Sequence, residues 1–221
     1  MSKKLSPRNV PVQQRAHRQR DKILKATSEL LETVGVDELT TIRVAEAVGI
    51  SVGTLYHYFP NKHAILYSLA ENWFQTVLNE LEEIGQRDLS NVAIKDFVVL
   101  ITEVFESLFI KHSPLLPLIN AINTLPELNS LKVEFKQQLI KALGEIFIDL
   151  NICASTLESE RLSSVYWQLL QGLLLLYVDA DPKSDKTLSD IKYLQYSLLE
   201  RAKSDFQRVY LRVTNSSATV G

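Results

Sequence analysis

The sequence predicts an all-α protein: a small N-terminal domain of short helices joined to a larger C-terminal helical body. Three observations carry this. Apolar residues recur at helical spacing over most of the chain. Only 7 Gly and 7 Pro interrupt its 221 residues, which favours long helices over a turn-rich sheet fold. No segment alternates apolar and polar residues for long enough to make a convincing strand.

The elements follow in order. Residues 1–16, with Pro7, Pro11 and several cations but no apolar period, read as a flexible basic arm. The first helix shows Ile23, Ala26, Thr27, Leu30, Leu31 and Val34 on one face, and Gly35 suits the position just past its end. A short helix opened by Thr40 or Thr41 carries Ile42, Val44, Ala45 and Val48, and Gly49 ends it. Ser51 suits the cap of a third short helix that runs through Tyr58. Pro60 stops that helix, because proline lacks the amide donor and clashes with the preceding turn.

Asn61 caps a long fourth helix, with Leu66, Ala70, Trp73, Val77, Leu81 and Ile84 in step. Gly85–Asn91 reads as a break, and a fifth helix follows around Phe97, Ile101, Phe105 and Phe109. Pro114 and Pro117 flank a short kinked piece reaching about Thr124, and Pro126 opens a helix running to Leu150. Glu158–Asp179 is the most apolar helix, closed by Asp181-Pro182, and Leu188 to about Arg212 is the last. The pattern changes near residue 60. The domains are therefore expected at 1–16 (arm), 17–62 (short helices), 63–213 (helical body) and 214–221 (flexible tail).

Bulk properties narrow the class. The single cysteine, Cys153, permits no intrachain disulfide and fits a reducing compartment. No apolar segment follows Lys3 and Lys4, so a secretory signal is not expected. The most apolar run, Leu169–Val178, falls well short of the roughly 20 residues that span a bilayer, and a cytoplasmic location is expected. Net charge is -2, but it is unevenly spread. Residues 1–25 carry eight cations against Asp21 alone, or +7, which leaves -9 on the remainder. A basic end on an acidic chain points to a polyanion partner. As a lone feature such a run is more often a solubilising tail.

Thr41–Phe59 carries the chemistry. Two short helices crossing steeply need a small residue at the crossing and a tight turn between them, and Ala45 and Gly49 supply these. Ile50 and Leu55 can pin the second helix against Val44 and Val48. Val52, Gly53, Thr54, Tyr56, His57 and Tyr58 are then left on or near its outward faces. Small residues at its start let the backbone approach a DNA groove. Thr54 can touch a base edge or a thymine methyl. Ser51, Tyr56 and Tyr58 suit phosphate oxygens, and His57 suits either role. Thr41, at a helix N-terminus, is placed for a phosphate, and Lys62 can add another contact. The arm from Arg15 to Lys25 adds non-specific electrostatic affinity. This makes a helix-turn-helix DNA-binding domain the expectation for the N-terminal part.

From about Arg20 to Leu66 the chain resembles the DNA-binding domain of the TetR family of bacterial regulators. The resemblance rests on Thr41-Ile42-Arg43, Ala45, Gly49-Ile50-Ser51, Gly53-Thr54-Leu55-Tyr56-His57-Tyr58-Phe59, Asn61-Lys62 and the Gly35 break. Val52 departs from the many relatives that carry a polar or charged residue there. The resemblance adds Arg43 to the expected DNA contacts. It implies a homodimer joined through the last two helices, a ligand-binding and dimerisation role for the C-terminal body, and a regulator, with repression as the expected outcome, released by a small-molecule effector.

The body is less legible. A helix as apolar as Tyr166–Tyr177 must be buried on several sides, by its own chain and by a partner subunit. The last helix offers a companion stripe in Ile191, Leu194, Leu198, Ala202 and Phe206. A two-fold dimer would set two reading helices about 34–36 Å apart on a palindromic operator. Pocket candidates are Phe105, Phe109, His112, Trp167 and Gln171, although aromatic stripes at helical spacing are more often plain core. His17, His57, His63 and His112 are scattered, so neither a metal nor any other cofactor is expected. No phosphate loop, serine elbow or zinc-helix motif suggests an enzyme. The competing reading is a helical adaptor whose N-terminal corner docks a partner protein; the basic arm argues against it.

Overall fold

The computed structural model describes residues 10–153, 155–179 and 185–217. Its α-helices are α1 (Val10–Val34), α2 (Thr41–Val48), α3 (Val52–Tyr58), α4 (Lys62–Gly85), α5 (Ile94–Lys111), α6 (Leu116–Ala121), α7 (Asn129–Asp149), α8 (Thr156–Asp179) and α9 (Asp185–Ser217). Three turns of 3-10 helix, Ser113–Leu115, Ile122–Thr124 and Pro126–Leu128, surround α6. No strand occurs among the described residues. Asp181-Pro182, the expected stop after α8, lies outside them, as do residues 1–9 of the arm and 218–221 of the tail.

Two ends differ from expectation. Helix α1 starts at Val10, inside the stretch 1–16 read as an arm. Pro11 stands in its first turn, where the missing amide has no helical partner to lose. Helix α9 continues to Ser217, beyond the expected stop near Arg212. Small polar residues lower helix propensity without forbidding the conformation.

The chain forms two compact units, and their limits differ from the expected change of domain at residue 62. One comprises residues up to Trp73 together with Pro114–Asn129; the other holds Phe74–Ser113 and the residues from Ser130 onward. The division falls inside α4. The kinked segment joins the first unit because its apolar residues Leu115, Leu118 and Ile119 are buried there, where α6 packs on α1.

In the first unit, Ile23 and Leu31 of α1, Leu39, Val44 and Ala45 around α2, Leu55 and Phe59 around α3, and Ile65 and Leu66 of α4 are all buried. Arg20 clamps α1 to α4. Its Nη2 donates to Ser68 Oγ at 3.0 Å, and its guanidinium lies 5.7 Å from the centre of the Phe59 ring.

In the second unit, α5, α8 and α9 pack on one another. The core is aromatic: Phe105 meets Trp167 edge-on at 5.6 Å, and Phe147 meets Tyr166 at 5.3 Å. Helices α7 and α8 approach closely at Gly144, where an added Cβ would lie 3.1 Å from Ser159 Oγ. A buried polar relay crosses this core. Tyr166 donates to Gln195 Oε1 (2.5 Å), Gln195 Nε2 donates to Thr102 Oγ1 (3.0 Å), and Thr102 donates to the Val98 carbonyl (2.6 Å).

Candidate nucleic-acid interface

The corner between α2 and α3 is built by short-range hydrogen bonds that the sequence encodes. Thr40, in extended conformation, accepts from the Arg43 amide at 3.2 Å and caps α2. Gly49 takes φ 74°, the left-handed conformation that ends α2 and turns the chain. Ser51 Oγ accepts from the Thr54 amide at 3.0 Å and caps α3. Asn61 Oδ1 accepts from the Ala64 amide at 2.9 Å and caps α4. Val44, Ala45 and Leu55 lock the two short helices together from within.

On the outside, Thr41 Oγ1 lies 3.3 Å from Tyr56 Oη. This hydroxyl pair joins the start of α2 to the second turn of α3, and Tyr56 is 50% exposed. Thr54 is exposed, with its hydroxyl 2.8 Å from Ser51 Oγ. Gly53 and His57 are exposed, whereas Val52 and Tyr58 are half-buried. The His57 and Tyr58 rings stand edge to face at 5.5 Å. Exposed hydroxyls and a small, open helix start offer hydrogen bonds and close backbone approach to a polyanion.

Two predicted cations are engaged within the unit. Arg43 Nη1 lies 3.3 Å from Glu38 Oε2, an exposed pair of small net worth that can rearrange. Lys62 Nζ donates to the carbonyls of Val36 and Asp37, each at 3.4 Å, and so braces the loop between α1 and α2. An ammonium has three donors, so one is left over.

Sequence reasoning missed several contacts. Ile42, one of the apolar residues of α2, is 57% exposed, whereas Leu39 before the helix is buried. Arg20, read as part of a diffuse basic arm, is instead the clamp on Ser68 and Phe59. His63 Nδ1 lies 3.1 Å from Glu127 Oε1, a pairing across 64 residues that no local pattern announces.

The pocket candidates in the second unit are mostly core. Phe105, Phe109 and Trp167 are buried, His112 and Gln171 are half-buried, and none of the five lines a described cavity. Burial, and next the nearby Lys111 charge, hold the His112 imidazole below its usual range. Among the described residues no three His, Cys, Asp or Glu side chains converge as metal ligands would. No described helix is long and apolar enough to cross a membrane.

Comparison with known proteins falls on the same segment. Residues 23–69 match the family model of bacterial regulatory proteins, tetR family. Tetracycline repressor protein class C of Escherichia coli is 45% identical over 53 residues, 24% of this chain and 24% of that protein. Nucleoid occlusion factor SlmA of Vibrio atlanticus (strain LGP32) is 32% identical over 71 residues, 32% of this chain and 36% of that protein. The matched region thus spans only about a quarter to a third of these relatives. Solved structures extend the likeness of fold. GusR of Salmonella enterica superposes with a TM-score of 0.63 at 18% identity, covering 90% of this chain and 100% of its own. A TetR-family transcriptional regulator from Syntrophomonas wolfei gives 0.65 at 14% identity, covering 83% and 95%.

Proposed function

We propose that this chain, which carries the DNA-binding segment of the tetR family in residues 23–69, is a dimeric transcriptional regulator that reads a palindromic operator with α3. The observation that carries the reading is the hydroxyl pair of Thr41 and Tyr56, 3.3 Å apart on the outer side of a corner held by Gly49 and Ser51. Two hydroxyls from two helices, side by side, can each turn its single proton to the oxygens of one DNA phosphate once their mutual bond opens. That contact would set α3 in register, with Gly53 against the groove and Thr54 on a base edge or thymine methyl. Arg43, freed from Glu38, and the spare donor of Lys62 would add phosphate contacts at the margin. His57, Tyr58, Ser51 and Val52 complete the proposed face.

Repression, with release by a small-molecule effector, is the regulatory outcome proposed. Such an effector shifts the protein only by the difference in its affinity for the DNA-competent and DNA-incompetent states.

The test is a titration of the protein against duplex from its own promoter region, followed by fluorescence anisotropy at several salt concentrations. Binding should weaken steeply as salt rises, because phosphate contacts release counterions. Tyr56→Ala should weaken binding by roughly tenfold or more, the worth of a hydrogen bond to a charged group, while the melting temperature holds. The reading fails if no duplex binds even at low salt, or if Tyr56→Ala unfolds the corner.

A further inference from the structure

A groove of about 400 Å³ opens between α5 and α9 in the second unit, away from the DNA-reading corner in sequence and composition. Val98 and Val99 form its apolar part, Tyr193 and Tyr196 line it from α9, and Lys95 and Lys192 line it as well. No carboxylate is among its lining residues. Tyr193 is 67% exposed and Tyr196 37%, so two aromatic rings stand in solvent beside two ammonium groups. Outside its first 25 residues the chain carries an excess of acid, which makes a lining whose charged side chains are both lysines a local exception.

We propose that this groove binds a small aromatic carboxylate. The two tyrosine rings offer faces for an aromatic ring to stack on, and the valines offer apolar contact. The lysines supply the charge that selects an anion. Lys192 is already shared, its Nζ 3.2 Å from Glu103 Oε1. Lys95 is exposed and enters none of the described ion pairs, so it is the primary anchor. The volume lies within the range of about 300–1,000 Å³ usual for small-molecule sites. The groove is also preformed. Val98 accepts the last hydrogen bond of the relay that runs from Tyr166 through Gln195 and Thr102, which ties α5, α8 and α9 to one another. A site whose helices need no ordering on binding retains more of its contact energy. On α9, Leu194 and Leu198 lie on the flank opposite Lys192 and Tyr196, so a subunit covering those leucines would leave the groove open.

The experiment titrates the full chain with 2-naphthoate, without DNA, and follows binding by calorimetry. Because no duplex is present, its failure is separate from failure of the regulator reading. Saturable binding below about 1 mM is expected, with 2-naphthamide several-fold weaker. Lys95→Gln should weaken 2-naphthoate by about threefold to fivefold, as fits an exposed charge pair. Glu103→Gln should tighten it by about twofold, because it releases the Lys192 ammonium. Both residues lie at the surface, and unchanged melting temperatures will show that the variants fold. Absence of saturation, equal binding of acid and amide, or binding indifferent to both substitutions would each overturn the proposal.

Discussion

Gly49 shows what a single residue contributes to the corner between α2 and α3. Its φ of 74° lies where an L side chain is strained, yet a Cβ built there meets no heavy atom within 4 Å. Gly49→Ala therefore tests the backbone alone. The substitution should cost about 1–2 kcal/mol, the left-handed penalty, and lower the melting temperature by roughly 2–8 °C for a chain of this length. A melting temperature that holds or rises would show that the turn is not held in this conformation. At this scale the local signals were legible: the caps at Ser51 and Asn61 and the glycine turn depend on residues three or four apart. Lys62 was legible only as a charge, because the carbonyls it braces belong to residues 36 and 37. The exposure of Ile42 was not legible, because an apolar residue in a helix of two turns has too few neighbours to define a face. Leu39, just outside the helix, is fully buried.

At the scale of elements, periodicity found each long helix, because burying one face imposes a 3.6-residue repeat whatever the partner. It could not find what the faces meet. The relay from Tyr166 to Gln195 to Thr102 joins residues on α8, α9 and α5, with sequence separations of 29 and 93. Gln195 is fully buried, and both of its side-chain ends are used. Tyr166 is also fully buried, and burial raises its hydroxyl well above the usual tyrosine range, so it stays a donor at any working pH. Gln195→Leu should remove both bonds at once and leave the Tyr166 hydroxyl in the core without its acceptor. A loss of about 1–3 kcal/mol follows, visible as a shift in denaturant midpoint. Full retention of stability would mean that leucine packing offsets the unsatisfied hydroxyl, and that the relay serves register among the helices rather than strength. The same blindness to partners explains the pocket candidates. Phe105 and Trp167 were marked by their size and spacing, and the structure uses both as packing for each other.

For the molecule as a whole, the proposed DNA-reading end was legible because its caps, glycine turn and buried contacts lie within a short stretch of chain. The rest was not, because a helical body accepts many apolar sequences of similar volume. Leu170 and Leu174 of α8 are fully buried within the chain, whereas Val165 is 48% exposed and Leu176 69%. Val165, Gly172 and Leu176 follow at intervals of seven and four, a single outward stripe. A Cβ at Gly172 would meet nothing within 4 Å, so the stripe is open to another backbone. A second copy meeting this stripe about a two-fold axis would bury two Leu176 side chains, one from each subunit. Leu176→Asp should then remove roughly 2–3 kcal/mol of apolar burial per subunit and raise the dimer dissociation constant by about a thousandfold or more. Sedimentation velocity at micromolar protein should show wild-type dimers and variant monomers with the same helical content. Operator affinity should fall together with the dimer, since a monomer presents one reading helix to a two-part site. A variant that remains dimeric would place the contact on another face, and a wild-type monomer would remove the basis for reading a palindrome.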